Sequence, residues 1–538
     1  MGGGGNTYAE RYGPSSSNNS ALVSIQKPPT RTISHNELRY LQLYQLKVVH
    51  TASGWFSSSF WNETVLPAAS FEPAVLHAAI AFSAAHRVTF DSSQAPDVRE
   101  RFMLQQYSKA INSIQLLLQR YDKASITVAL VACQLFTFLE YLRGKHGLAE
   151  THLRNGLRML KDLSTESGCP QHGILILGPS SYSNAVNKGI VRSFATLHMQ
   201  NDLFGSNLKD VDMFLQPMEH DIPYPTFENA GEAKDSLDTL VHRIVVMSQR
   251  FRKSGPGSEV DWSVVSLAHE QITALLAAWY ETYVRTVTEN EDWVRSSKQT
   301  IHTPLAFGTQ TPPSKHPMTR EPLAFKLLLV YYLMGTIMCA CLRSHSEIQY
   351  TAYTPVFLSM LEHTVDVFEK YSRARTITNN VNLHDSIGEC GFIAPLYHIA
   401  TKCRVHRIRL HAIRLLREIP YKEGPWDSSL AANIAHTVME LEERYVYVRQ
   451  DVDENFSLFE VPILDPGSDS SLPQCSLFHD VQVQMQDVAN KAIVTCKRWR
   501  VDGSLETITF QADDKRVPED EAKRWWSIPA AKCMSLKD

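Results

Sequence analysis

The sequence predicts a mainly α protein: a large multi-helix domain, single or in two lobes, with a small β hairpin near the C-terminus. Three observations carry this. Through most of the chain, apolar residues recur at spacings of three and four, the period of one helix face. Capping residues and early prolines open these stripes, and Gly or Pro closes them. Only near residues 490–512 does the pattern change to alternation. There KAIVTCKRWRVDGSLETITFQ sets Asp502-Gly503 between two strand-like runs, and glycine supplies the positive φ that a tight hairpin turn requires.

The first 34 residues are rich in Gly, Ser, Asn and Pro, a composition that predicts disorder. A helix follows over Asn36–His50, with Leu41, Tyr44 and Val48 on one side. Ser53-Gly54 breaks it, and Trp55, Phe56, Phe60 and Trp61 are expected to pack as one aromatic knot. Ser70-Phe71-Glu72-Pro73 combines a capping serine with an early proline, so a helix is predicted through His86. The next runs from about Pro96 and carries Leu104, Tyr107, Ile111, Ile114 and Leu118; its alternating spacings indicate helix-on-helix packing. Ser125 is the expected cap of a helix that Gly144 ends, and Gly147–Leu163 forms another, with Leu153, Leu157 and Leu160 inward.

Residues 164–188 read as a loop, in which Ile174–Gly178 forms at most a short strand without a visible partner. Pro217, Pro223 and Pro225 mark an extended connection, and helices return at Leu237–Arg252, Trp262–Val287, Phe325–Leu342 and Tyr353–Tyr371. A Pro/Thr-rich loop occupies 299–321. Three pieces then follow in Gly391–Glu443. Pro395 can open a short apolar helix. Val405–Ile419 places Val405, Ile408, Ala412, Leu415, Leu416 and Ile419 on one side and ends at Pro420. After the turn Glu423–Asp427, Asp427 or Ser428 caps a helix through Leu441. The remainder, 451–538, reads as a C-terminal extension carrying the hairpin.

The chain has 538 residues, 43% hydrophobic and 20% charged, with 53 basic against 57 acidic side chains. A net charge of −4 gives no global pull toward phosphate backbones. Nine scattered cysteines, with no Cys-x-x-Cys among them, suit free thiols in a reducing compartment. They offer no short segment that could supply several zinc ligands. The longest apolar run, Leu327–Leu342, contains Tyr331, Tyr332, Gly335 and Thr336 and reads as a buried core helix rather than a membrane span. MGGGGNTYAERYGPSSSNNS has no apolar core and does not read as a signal peptide.

Several stretches, in order, resemble one family. They are SGWFSSSFWNETVLPAASFEPAVLHAAIAFSAAHR, LQQYSKAINSIQLLL, ALVACQLFTFLEYLRGKHGLAETHLRNGLRML and IVRSFATLHMQNDLFG, then GFIAPLYHIATKCR, RIRLHAIRLLR and EGPWDSSLAANIAHTVMELEE. Together they resemble the fungal-specific transcription factor domain, the helical region of the zinc binuclear cluster regulators, over about 37–445. The resemblance implies transcription regulation in a nucleus, with cytoplasmic residence left open. It implies a domain, set at 35–450, that acts through a small-molecule effector or through contact with a DNA-binding transcription factor or other regulatory protein, as a monomer or a dimer. The six-cysteine cluster is missing from this sequence, so no zinc is expected here, and sequence-specific DNA binding by this chain alone is not expected. The main rival is a small-molecule-binding helical module without a transcriptional role.

No catalytic, cofactor-binding or metal-ligating residue can be named. Cys339-Ala340-Cys341 with His345 invites a metal, but residues two apart on a helix point to nearly opposite sides. His384-Asp385-Ser386 holds the residue types of a hydrolase triad, which is assembled from distant positions rather than from one segment. No Gly-x-Ser-x-Gly, His-Glu-x-x-His or phosphate-binding glycine loop occurs, so no enzyme is expected. The one charge feature singled out is a cationic arc: Arg404, Arg407, Arg409, Arg414 and Arg417 are a candidate anion- or partner-contact face. The competing reading is a solvated face, or one paired with Glu440, Glu442 and Glu443. Cys496–Arg500 forms a second, shorter basic patch with Trp499 between its charges.

Overall fold

A computed structural model describes residues 33–56, 58, 60–86, 96–120, 122–165, 174–177, 188–205, 212–215, 222, 225–254, 262–290, 320–342, 346–378, 388–418, 422–444, 456–462, 472–487 and 491–514. Predicted disorder at 1–32, most of the Pro/Thr-rich loop, His345 and His384-Asp385-Ser386 lie outside these residues.

The mainly α expectation holds. Helix α1 (His35–Leu43) opens on a capping box: Ser34 Oγ accepts from Glu37 N at 3.3 Å, and Glu37 Oε2 accepts from Ser34 N at 3.0 Å. It runs through a π turn (Tyr44–Val48) into α2 (Val49–Ala52). A second π turn (Phe60–Val65) leads into α3 (Leu66–Phe71), and α4 (Pro73–Ala85), α5 (Pro96–Leu118), α6 (Lys123–Leu142), α7 (His146–Thr165) and α8 (Lys188–Leu203) follow. Two caps differ from expectation. Ser70 bonds back to Leu66 O within α3, leaving Glu72 as the N-cap of α4 with no side-chain bond. On α6 the cap is Asp122, whose Oδ1 accepts from Ser125 N at 2.7 Å; the carboxylate three residues upstream has the reach that Ser125, already inside the first turn, lacks.

The later helices are α9 (Ala230–Ser254), α10 (Trp262–Glu289), α11 (Arg320–Ala340), α12 (Thr354–Thr378), α13 (Ile393–Lys402), α14 (His406–Glu418) and α15 (Ser428–Glu443). Asp427 caps α15 through Leu430 N at 3.0 Å, as its position predicts. α6 and α11 are long and apolar enough to cross a membrane, yet 72% and 61% of their apolar windows are buried inside the fold, which supports the core-helix reading.

Strands are few. The short strand at β1 (Ile174–Leu177) does have a partner, β2 (Asp212–Leu215), in parallel register across a gap of sequence that no local pattern bridges. A minimal pair, β3 (Lys422–Glu423) and β4 (Trp426–Asp427), flanks Gly424. The expected hairpin is β6 (Lys491–Trp499) with β7 (Leu505–Asp513), turning at Gly503 with φ 79°. It gains a third antiparallel strand, β5 (Asp480–Met485). Ala492, Val494 and Cys496 alternate inward on β6 and join the core formed by the later helices rather than a separate one.

Two apolar clusters form among the described residues. One gathers α1–α7 around Tyr44, Trp61, Leu76, Leu135, Phe136 and Leu157 and reaches Phe194 and Leu197 of α8. The other begins at Met199 of the same helix and takes in α9–α15 and the three-stranded sheet. The predicted aromatic knot is divided between them. Phe60 and Trp61 pack in the first, with Trp61 4.8 Å from Phe138; Trp55 and Phe56 pack in the second, with Trp55 5.2 Å from Phe392. A break in the helix at Gly54, with φ 59°, turns the intervening chain so that neighbouring aromatics serve different cores.

Candidate functional site

The structure does not assemble the five arginines of α14 and its approach into one exposed face. Arg409 is fully buried. Its Nε donates to Ala400 O at 2.7 Å, Nη1 to Glu443 Oε1 at 2.9 Å and Nη2 to Glu442 Oε2 at 2.7 Å. Arg404, also buried, donates to Glu347 Oε2 at 2.7 Å and Glu442 Oε2 at 3.3 Å, while Lys402 reaches Glu347 at 2.9 Å. His406 Nδ1 lies 2.5 Å from Glu443 Oε2. Three cations thus meet three carboxylates, beside His406, inside the protein. A buried guanidinium needs such partners because desolvating an unpaired charge is prohibitive. Burial alone would lower the pKa of Arg409, but the two carboxylates raise it.

Arg407, Arg414 and Arg417 are half-buried. The guanidiniums of Arg407 and Arg414 lie over the Phe456 ring, at 5.5 and 4.5 Å from its centroid, a cation–π arrangement. The correction to the cationic arc is therefore geometric: Arg404 and Arg409 turn inward, because α15 brings Glu442 and Glu443 against them. The second basic patch is likewise paired, Lys497 with Asp480 at 3.1 Å and Arg498 and Arg500 with Glu506 at 2.6 and 2.9 Å. Cys339 and Cys341 are buried at the end of α11, and burial pushes the Cys341 thiol up to about 12.

A cavity of about 370 Å³ opens elsewhere, where α8 and the start of α9 diverge. α8 contributes Lys188, Arg192, Ser193 and Thr196; α9 contributes Lys234, Asp235 and Ser236. Phe56, Phe60 and Glu63 close one side, and Glu389 another. Lys234 is buried and paired with Asp238 and, at 3.1 Å, with Glu389; its Nζ also lies 5.7 Å from the Phe56 ring centroid. Burial would lower the Lys234 pKa, but those carboxylates hold it high, and burial raises that of Asp238. Arg192 pairs with Asp235 at the cavity floor.

Beyond that pair lies a recess of about 10 Å³, lined by Ala195, Met199, Asp238, Thr239 and His242 and sharing Arg192, Thr196 and Asp235 with the larger space. His242 is 1% exposed, and neither ring nitrogen has a hydrogen-bond partner among the described residues. Burial, with His198 adding to it, lowers its pKa to about 3. The His198 ring stands edge-on at 5.5 Å and pairs with Asp202 at 3.1 Å.

Of these cavity residues the sequence singled out only Phe56 and Phe60, as members of an aromatic knot, and none as part of a site. The available signal was charge on an apolar stripe. Ala230, Ala233, Leu237, Val241 and Ile244 mark the buried face of α9, and Lys234, Asp238 and His242, spaced by four, run along its edge. Glu389, from a distant segment, left no such signal.

No curated protein and no solved structure matches the chain. The model of one family, described as the fungal specific transcription factor domain, matches residues 39–208, the stretch from within α1 to just past α8 that supplies the α8 wall of the cavity together with Phe56, Phe60 and Glu63. Over residues 39–208 the chain is similar to the fungal specific transcription factor domain.

Proposed function

We propose that this chain is a transcription regulator of the fungal type, acting in the nucleus through its helical body. The observation that carries the reading is the family match over 39–208, supported by the same kind of resemblance continuing through α13–α15. The body works by binding an effector or a regulatory protein, with DNA contact supplied by a zinc-cluster segment or partner and not by the residues described here. The ion pairing of Arg404 and Arg409 supports this, since paired buried cations release no counterions from a phosphate backbone. Arg407, Arg414 and Arg417 remain the part of the arc from which a partner contact could be built.

A non-enzymatic role is supported by two serines of the cavity lining. Ser193 Oγ accepts from Gln134 Nε2 at 2.7 Å, and Ser236 Oγ donates to Ala233 O at 3.0 Å while accepting from Trp279 Nε1. Among the described residues, neither is bonded to a base that would make it a nucleophile.

The test tethers the chain to a heterologous DNA-binding domain upstream of a reporter in a fungal host. A change in reporter output, up or down, is expected. Output equal to that of the DNA-binding domain alone would overturn the reading in favour of a ligand-binding module without a transcriptional role.

A further inference from the structure

We propose that the crevice between α8 and α9 binds an aliphatic amine, seating its ammonium group in the recess at His242 and its methylene stem in the larger cavity toward Phe56 and Phe60. The volume, about 370 Å³, lies at the small end of the range for metabolite sites.

Charge selects the ligand's sign. Around the crevice stand Lys188, Arg192 and Lys234 against Glu63, Glu232, Asp235, Asp238 and Glu389. Asp235 neutralises Arg192, and Lys234 is shared between Asp238 and Glu389. The closed end therefore holds one carboxylate more than it has cations. A cationic ligand completes that balance, whereas a carboxylate would add to the excess.

His242 is an independent indication. A buried polar ring with both nitrogens unsatisfied costs stability and is rare in native interiors. It lines a space of about 10 Å³, the size that admits a single small polar group. Being held neutral by burial, the imidazole keeps a lone pair that can accept an N–H. Asp235 and Asp238 line the same recess, so an ammonium there finds a lone pair and two carboxylates at once. Phe56 and Phe60 give the methylene stem apolar wall at the wider end.

The test uses the full chain, with putrescine as the probe and succinate and sodium chloride as controls at matched ionic strength, read by calorimetric titration and thermal shift. Putrescine is expected to bind saturably and raise the Tm, and the controls are not. Glu389→Gln leaves Lys234 paired with Asp238, so the chain should fold, and putrescine affinity should fall about tenfold, because Lys234 then claims Asp238 alone and the surplus carboxylate that faces the ammonium is lost. His242→Phe fills the recess and should abolish the shift. Stabilisation by succinate in place of putrescine, a putrescine effect matched by salt, or undiminished affinity in Glu389→Gln would overturn the proposal. Because binding is read without DNA or reporter, its failure and that of the regulatory role are separate results.

Discussion

Arg409 and Glu443 meet at 2.9 Å with both side chains out of contact with solvent, one on α14 and the other on the last turn of α15. Each is held by more than this pair, since Arg409 also grips Glu442 and the carbonyl of Ala400, and Glu443 also meets His406. Arg409→Ala would take one cation from two buried carboxylates, leaving Glu442 to Arg404 and Glu443 to His406. It should cost about 3–5 kcal/mol, the range for breaking one side of a buried pair. Arg409→Met combined with Glu443→Gln, which removes one charge of each sign, should cost less than Arg409→Ala. Urea denaturation of the variants checks both; equal losses would mean that the charges are not coupled.

Acid should weaken the fold in two windows. His146 and His436 have pKa values lowered to about 4, and His242 to about 3, in each case first by burial. For these groups the unfolded chain binds protons that the folded one refuses. Stability is complete above the ordinary histidine value of 6.5 and is lost as pH falls through 6.5 toward those lower values. Glu37 adds a lower window. Burial alone would raise its pKa, but bonds from Lys109, Gln106 and Ser34 bring it to about 2, so its contribution is present above 4.5 and lost between 4.5 and 2. Glu37→Gln should flatten only the lower window in a plot of Tm against pH, and His242→Leu only the upper.

Gly205 should not tolerate a side chain. Its φ is +76°, and an added Cβ would stand 2.4 Å from the carbonyl oxygen of Val481 on β5. Backbone cannot step aside as a flexible side chain can. Gly205→Ala should therefore destabilise by more than about 1 kcal/mol, the ordinary penalty for alanine at positive φ, and loosen the sheet's seat on α8. Amide exchange at β5 would report it.

Asp122→Ala should cost about 1 kcal/mol, the usual loss for a cap that satisfies a first-turn N–H. Ser125→Ala should cost less, because its backbone N–H, which makes the 2.7 Å capping bond, is kept. Thermal melts of the two variants separate them.

Helix faces were legible in the sequence because burial of a stripe imposes its period: Ile408, Ala412, Leu415 and Leu416 are buried as their spacing predicts. The hairpin at Asp502-Gly503 was legible for the same local reason. Contacts between distant segments were not. Nothing near Ile174 announces Asp212, and nothing near Arg409 says that Glu442 and Glu443 will arrive against it, although those acids were named as partners. The arc of α14 looked like a surface because charge usually is one. It is half interior because α15 supplies the opposite charge at van der Waals range. The crevice was missed entirely, since Lys234 and Glu389 are far apart in the chain and become neighbours only when α9 packs.

α8 is one unbroken rod whose Leu197 belongs to the earlier apolar body and whose Met199, two residues on, belongs to the later one. No glycine or proline lies between Ile190 and Leu203 to serve as a joint. Melting either body strips apolar cover from the same rod, so the two should denature in one step, and a calorimetric scan should trace one endotherm where a pair of freely tethered modules would trace two.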